Sequence, residues 1–326
     1  MPVRSEFDLI ASLFAPMAAG YGGAFGLLDD AALLEIPAGD KPVVTTDTMV
    51  AGVHFLPEDP PDLIARKLIR VNLSDIAAMG ARPWVFLLNA CLPGNVTASW
   101  LEAFASGLDA DRTRYGLHLI GGDTVATEGP AVLGLTAFGL TAEGRILRRS
   151  GAGVGDLVCV TGTVGDGALG LLAARGEFSG FEPAHVQALA GRYRLPEPRV
   201  TLGPHLPGLA SAGMDISDGL CQDLGHICRA SGVGAEVHSD SLPLSAAARA
   251  VCLERPELME TVLCGGDDYE LLFALPPDRI DRLMTLAAAA GVSATVIGRI
   301  IEGEGVRVVG LDGRPLVLGR SGYRHF

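Results

Sequence analysis

Lysine is almost absent from this chain, with only Lys41 and Lys67 among 326 residues. Neither follows a glycine, so no G-x-x-x-x-G-K-[ST] phosphate loop exists, and any nucleotide chemistry must rest on other groups. The six cysteines (Cys91, Cys159, Cys221, Cys228, Cys252, Cys264) show no C-x-x-C spacing and sit mostly in apolar segments. That excludes a cysteine-based zinc module and points to free thiols in a core. H-E-x-x-H and G-x-S-x-G are also missing, which removes zinc-protease and nucleophile-elbow chemistry. No apolar run approaches the roughly 20 residues that span a bilayer. The opening Met1-Pro2-Val3-Arg4-Ser5-Glu6 has no apolar signal core, so a cytoplasmic protein without a membrane partner is expected. Positive charge is scarce: 25 Lys+Arg face 38 Asp+Glu, a net charge of −13. With no local basic cluster, such a surface repels nucleic acid.

What remains is a folded chain. Hydrophobic residues make up 48% and charged residues 19%, richer in apolar side chains than disorder allows. The length fits about two domains. Strand-like runs alternate with helical stretches, which predicts an α/β or α+β protein. Strands are expected over 32–36, 43–46, 85–92, 117–120 and 132–140, with helices over 7–17, 63–79 and 98–114. Glycine then recurs through Arg149-Ser150-Gly151-Ala152-Gly153-Val154-Gly155-Asp156, and a domain boundary is expected there, giving domains 1–150 and 151–326. In the second half, strands are expected over 157–161, 213–216, 235–238, 269–275, 294–299 and 306–309. Helices are expected over 167–175, 200–211, 220–230 and 279–289.

The strongest chemical signal is an apolar strand that runs into a small-residue turn and delivers an aspartate. It recurs as Thr45-Thr46-Asp47, Gly121-Gly122-Asp123-Thr124, Asp215-Ile216-Ser217-Asp218-Gly219 and Gly265-Gly266-Asp267-Asp268, and Asp29-Asp30 adds a further pair. Any one of these is an ordinary turn or helix cap on its own. The helix over 63–79 adds weight. At 100° per residue, Ile64, Leu68, Val71 and Met79 fall within about 80° of one another and Asp75 projects into that arc. A carboxylate on an apolar face needs a core arginine, a neighbouring element to cap, or a cation. Oxygen ligands without His or Cys suit a hard ion, Mg²⁺ foremost, and Mg²⁺ held by carboxylates implies phosphoryl transfer. Thr45 and Thr46 can add hydroxyl ligands, and the Gly121 and Gly122 amides can approach phosphate oxygens. Arg148 and Arg149 fit either a phosphate clamp or a solvated surface pair.

Two further features have competing readings. Gly165-Asp166-Gly167-Ala168-Leu169-Gly170 is a literal G-x-G-x-x-G between a strand and a helix. The polar, proline-bearing stretch 177–199 supplies no second strand ending in an acidic residue, so a packing turn is the simpler account than a dinucleotide site. His54 follows the Thr-Thr-Asp turn closely enough to face the same cavity, or is simply structural.

Taken together in order, these motifs resemble one known family. Thr45-Thr46-Asp47-Thr48, Gly52-Val53-His54-Phe55, Asn72-Leu73-Ser74-Asp75-Ile76-Ala77-Ala78-Met79-Gly80, Gly121-Gly122-Asp123-Thr124, Arg149-Ser150-Gly151, Asp215-Ile216-Ser217-Asp218-Gly219-Leu220, Gly265-Gly266-Asp267-Asp268-Tyr269-Glu270-Leu271 and Gly322-Tyr323-Arg324-His325-Phe326 are similar to the thiamine-monophosphate kinases. These belong to the PurM-like superfamily of aminoimidazole ribonucleotide synthetase. The resemblance implies an N-terminal α/β domain that dimerises through its sheet and a C-terminal α+β domain. It implies transfer of the ATP γ-phosphoryl to thiamine monophosphate with several Mg²⁺ ions. Carried over by position, Asp30, Thr45, Thr46, Asp47, Asp75, Asp123, Asp215 and Asp218 match Mg²⁺ ligands. Tyr115, Gly122, Asp123, Arg149 and Ser217 match ATP contacts, and His54, Asp267 and Tyr323 match substrate contacts.

The chain departs from the pattern at three positions. Leu28 stands where glycine is usual before the Asp pair, Asp267 replaces a glutamate, and Arg320 replaces an aromatic before the terminal Gly-Tyr. The alternatives are another ATP-dependent synthetase of the superfamily and a catalytically silent nucleotide-binding regulator. A selenophosphate-forming enzyme is disfavoured, because Tyr21-Gly22-Gly23-Ala24-Phe25-Gly26 carries no reactive cysteine.

Overall fold

The computed structural model of the chain describes residues 10–310, 312–319 and 322–323. The chain forms two compact units, residues 1–76 with 81–144 and residues 77–80 with 145–326.

The first unit has a four-stranded sheet in the order β1-β4-β2-β3. Its elements are β1 (Asp40–Val50), α1 (Pro61–Ala78), β2 (Arg82–Pro93), α2 (Ala98–Tyr115), β3 (His118–Thr127) and β4 (Val132–Ala142). β4 pairs antiparallel with β1 and β2, whereas β2 and β3 run parallel. Parallel neighbours need a crossover, and α2 supplies it. Its start is capped by the Thr97 hydroxyl, which accepts from the Trp100 amide at 3.2 Å, and Gly116 ends it with φ 68°.

Helix α1 is buried on almost every side, including Lys67, Arg70, Asn72 and Ser74 as well as Ile64, Leu68 and Ile76. The sequence pattern shows a single apolar arc, so the polar residues mark where other elements close over it. Asp111 on α2, itself buried, accepts from Arg70 Nε at 2.5 Å and Arg66 Nε at 3.0 Å. Charges this far from water persist only when paired.

The second unit has a six-stranded sheet in the order β10-β7-β9-β5-β8-β6. Its strands are β5 (Leu157–Thr161), β6 (Ala212–Asp215), β7 (Gly234–His238), β8 (Leu271–Leu275), β9 (Ala294–Ile301) and β10 (Gly305–Val309). Its helices are α3 (Asp166–Ala174), α4 (Pro183–Arg194), α5 (Leu220–Ser231), α6 (Ala246–Glu254), α7 (Met259–Cys264) and α8 (Ile280–Ala289). Alternate residues of β5 and β8 enter different cores. Val158, Val160, Leu272 and Ala274 pack on one face with residues of α3 to α7. Cys159, Leu271 and Phe273 pack on the other with Leu283 and Ala287 of α8. A sheet covered on both faces explains why these strands read as unbroken apolar runs.

Four expectations from the sequence differ from the structure. Residues 32–36 form no strand. The Tyr21 hydroxyl donates to Leu33 O at 3.1 Å and accepts from Glu35 N at 3.2 Å, and Leu33 N donates to Gly23 O at 2.8 Å, so a phenol and one loop carbonyl take the place of a neighbouring strand. Residues 10–18 form short irregular helical turns rather than one helix, and residues 7–9 lie outside the described part. Residues 200–211 form turns and one short helical turn at Gly203–His205, broken by Pro204 and Pro207, although Leu202, Leu206 and Leu209 are buried as helix periodicity would place them. Conversely, the polar stretch after α3 contains α4, which starts on Pro183 in its first turn and buries Leu189, Ala190 and Tyr193.

Candidate active site

In the first unit, β1 and α1 bring two carboxylates together. The Thr45 hydroxyl donates to Asp75 Oδ2 at 2.5 Å, and the Asp47 amide donates to Asn72 Oδ1 at 3.1 Å. Asn72 is fixed in turn by donating to Leu68 O at 2.9 Å. Burial first, and then the neighbouring Asp75 carboxylate, push the Asp47 carboxyl up to about 6. Thr46, next along the strand, points to the opposite face. Its hydroxyl donates to Leu135 O at 3.1 Å and accepts from Thr136 at 3.0 Å.

The β3 turn makes a second group of this unit. A cavity of about 220 Å³ is lined by Asp29, Asp30, Gly121, Gly122 and Asp123, together with apolar residues such as Phe14 and Leu119. The pairing of β2 with β3 slips between Phe86 and Leu87, which leaves Ile120 as the extra residue of a bulge just before the glycines. Gly122 has φ 151°, and a Cβ there would run into the Leu88 carbonyl. Glycine is therefore required for packing, and it also leaves the backbone open to a ligand. Leu28 sits at φ −106°, a conformation open to any residue, so its replacement of glycine imposes no strain before the Asp pair.

Sheet register sets the distance between these groups. Asp47 lies opposite Leu135, Leu135 opposite Leu88, and Leu88 opposite Gly122. Three strand spacings separate them by about 14 Å. Among the described residues no three His, Cys, Asp or Glu side chains converge closely enough to cage one ion. The all-oxygen set of Thr45, Asp47 and Asp75 fits a hard cation, which would relieve the mutual repulsion of the two carboxylates. With only two carboxylates, the set would leave further coordination to water and phosphate oxygens.

In the second unit, Asp215 is buried at the end of β6, and the loop after it carries Ser217 and Asp218 half-buried. Asp267 N donates to Ser217 O at 3.0 Å, Tyr269 N to Ile216 O at 2.8 Å and Tyr323 N to Asp218 O at 3.0 Å. Ser217, Asp218, Asp267 and Tyr323, read separately from the sequence, are thus joined through backbone. Asp267 has φ 70°, and its Oδ1 accepts from the Tyr269 hydroxyl at 3.1 Å.

The G-x-G-x-x-G motif binds an internal carboxyl group. The amides of Gly165 and Gly167 donate to the Asp268 carboxylate at 2.6 and 2.9 Å, where a dinucleotide pyrophosphate would otherwise lie. Complete burial pushes Asp268 up to about 8, against the pull of those amides. Neighbouring Glu270, fully buried, accepts from Thr161 at 2.7 Å, Arg192 at 2.9 Å and Arg199 Nε at 2.6 Å.

The remaining candidates make contacts of their own. His54 Nδ1 accepts from Val50 N at 3.0 Å and so braces its own turn. Tyr115 lies under the guanidinium groups of Arg70 and Arg114, 5.8 and 5.2 Å from its ring centre. Arg148 O accepts from Gly213 N at 2.9 Å, and Arg149 O accepts from the Ser231 hydroxyl at 3.3 Å, at the far end of α5 from Asp218. The Arg149 side chain is exposed, yet its charge reaches His226. Burial, Arg229 and Arg149 hold that imidazole below its ordinary value. Arg320 and the terminal Arg324, His325 and Phe326 lie outside the described residues.

Two domains of the family described as AIR synthase related protein match the chain, the N-terminal domain over residues 28–141 and the C-terminal domain over 153–310. The thiamine-monophosphate kinase of Caulobacter vibrioides is 44% identical over 324 residues, 98% of this chain and 91% of its own. The chain belongs to the thiamine-monophosphate kinase family. A crystal structure of the Stenotrophomonas maltophilia K279a kinase superposes with a TM-score of 0.81 at 44% identity, covering 89% of this chain and 91% of that one. A structure described as AaThiL complexed with AMPPCP and TMP matches with a TM-score of 0.79 at 34% identity, covering 93% and 97%. The fold is accordingly the two-domain, mixed helix and sheet architecture of PurM-like proteins.

Asp223 and the amide-binding role of Asp268 were not evident from the sequence. Asp223 Oδ2 accepts from three successive amides, those of Ser217, Asp218 and Gly219, at 3.0, 3.0 and 3.1 Å. The available signal was an acidic residue in the first turn of α5, directly after a loop with orphan amides.

Proposed function

We propose that this chain transfers the γ-phosphoryl group of ATP to the phosphate of thiamine monophosphate, giving thiamine diphosphate and ADP. The observation that carries this reading is full-length similarity to thiamine-monophosphate kinases, one neighbour of which binds AMPPCP and TMP. In the transfer, the bond from the γ-phosphorus to the β-γ bridging oxygen breaks and one from an acceptor phosphate oxygen forms. The acceptor is already anionic at neutral pH, so no strong general base is needed. Rate comes from in-line positioning and charge neutralisation.

Mg²⁺ would screen the two polyanions and stabilise the leaving oxygen. The first unit offers it Asp30, Thr45, Thr46, Asp47, Asp75 and Asp123, and the second offers Asp215 and Asp218. Thr46 could contribute only through its backbone or from the opposite face of the sheet. Tyr115, Gly122, Arg149 and Ser217 are assigned to ATP, and His54, Asp267 and Tyr323 to thiamine monophosphate. Residues 1–150 are assigned as the nucleotide, metal and dimerisation domain of a cytoplasmic homodimer, and residues 151–326 as the C-terminal α+β domain that carries the other assigned residues.

The test is ADP release with ATP and Mg²⁺ across candidate phosphate acceptors. Rapid release with thiamine monophosphate, accompanied by thiamine diphosphate, supports the assignment. Release only with an amide or selenide acceptor would point to a sister synthetase, and no release with any acceptor would point to a silent regulator.

A further inference from the structure

The loop over residues 216–219 has every peptide group accounted for. Its carbonyls are taken from outside: Ile216 O by Tyr269, Ser217 O by Asp267, Asp218 O by Tyr323 and Gly219 O by the Asp223 amide, all at 2.8 to 3.0 Å. Ile216 N donates to Glu270 O at 2.8 Å. The other three amides, Ser217, Asp218 and Gly219, converge on one atom, Asp223 Oδ2. Asp223 is 1% exposed, and its Oδ1 is buried with no hydrogen-bond partner among the described residues.

A carboxylate in an apolar helix face, with one oxygen unserved, is an expensive way to cap a helix. A serine or threonine N-cap would satisfy an amide at lower desolvation cost. Convergence on a single oxygen does something such a cap cannot. It turns three consecutive N–H groups inward together and so fixes the backbone that carries the half-buried Ser217 and Asp218 side chains, the second of which also accepts from Gln222 Nε2 at 3.1 Å. Gly219, at φ 123°, makes the turn possible, and a Cβ there would crowd the backbone of Cys264 and Gly265.

We propose that Asp223 is a positioning residue that sets the backbone geometry presenting Ser217 and Asp218 by gathering their amides on one carboxylate oxygen. This rests on the reading of Ser217 and Asp218 as contacts to ATP and Mg²⁺. Asp223 touches neither, and it acts through the peptide planes.

The test uses the full chain and two measurements: hydrogen exchange of the 217–219 amides, and calorimetric affinity for AMPPCP with Mg²⁺. Asp223→Ala should speed exchange at 217–219 by at least a hundredfold while β5 and β9 stay protected, and weaken AMPPCP by at least tenfold. Asp223→Asn keeps one acceptor oxygen and should recover affinity to within about threefold. A lower Tm with AMPPCP affinity unchanged in Asp223→Ala would reduce Asp223 to a helix cap and overturn the proposal. Should Asp223→Ala not fold, Asp223→Glu takes its place, because its carboxylate is displaced by about 1.5 Å. The same tenfold loss then supports the proposal, and wild-type affinity overturns it. A wild-type chain that binds no AMPPCP overturns the nucleotide reading itself, and exchange in the variants still decides whether Asp223 holds the loop.

Discussion

Replacing Asp268 by asparagine should reverse sign with pH. The carboxyl is pushed from 3.8 up to about 8 by burial, and its oxygens accept from Gly165 and Gly167 at 2.6 and 2.9 Å. A raised carboxyl stabilises the fold fully below its unfolded value, and that contribution is lost as pH rises through the folded value. Between pH 5 and pH 8 the wild-type chain therefore loses roughly 4 kcal/mol from this one group, at 1.36 kcal/mol per unit. Asparagine has no such dependence. It keeps a carbonyl for one glycine amide and turns its NH₂ toward the other, a mismatch that costs about 1 to 3 kcal/mol at every pH. The two chains should thus be close in stability near pH 5, and Asp268→Asn should be the more stable near pH 8. Urea unfolding followed by circular dichroism at pH 5, 6.5 and 8 measures this, and the difference between the chains cancels other titrating groups. A wild-type to variant difference that stays constant within 1 kcal/mol across that range would refute the reasoning, since Asp268 would then titrate alike in both states.

Asp75→Asn and Asp123→Asn should each lower turnover by at least about two orders of magnitude, roughly 3 kcal/mol of transition-state stabilisation, with the circular dichroism spectrum unchanged. Near-normal turnover in both would make these aspartates structural. Activity should vanish in chelator and return with Mg²⁺ but not Ca²⁺, whose longer bonds and looser coordination suit a compact phosphate clamp poorly; turnover in chelator alone would contradict the metal assignment. Asp267→Glu should change the KM for thiamine monophosphate several-fold and leave that for ATP nearly constant, whereas an effect confined to ATP would overturn the substrate role of this residue. Gly122→Ala should cost several kcal/mol of stability because its methyl meets the Leu88 carbonyl, and an unchanged urea midpoint would show that the β3 bulge is pliable.

Much of the fold was legible because its signals are local. β4 alternates buried and half-buried residues along its length, and α2 announces its start at Thr97 and its end at Gly116. The strand expected over 32–36 failed because periodicity describes what a segment can do, while its backbone partners here are the Tyr21 hydroxyl and the Gly23 carbonyl. The helix expected over 200–211 failed because its leucines are spaced for a buried helical face that Pro204 and Pro207 do not allow. α4 was hidden by polar residues that its exposed side requires.

For the candidate site, the residue types and their order along the chain were carried by the sequence itself. Aspartates delivered by glycine turns, in a chain with two lysines and no phosphate loop, restrict the chemistry to oxygen ligands and anionic substrates. Side-chain direction and separation were decided only by tertiary structure. Adjacent Thr45 and Thr46 face opposite sides of a sheet, Asp47 and Gly122 stand three strands apart, and Asp223 and Asp268 give carboxyl oxygens to backbone amides. A carboxylate's role depends on what surrounds it. Those surroundings come from strand register and from loops distant in sequence, so no local pattern distinguishes an aspartate aimed at a ligand from one that holds the chain in place.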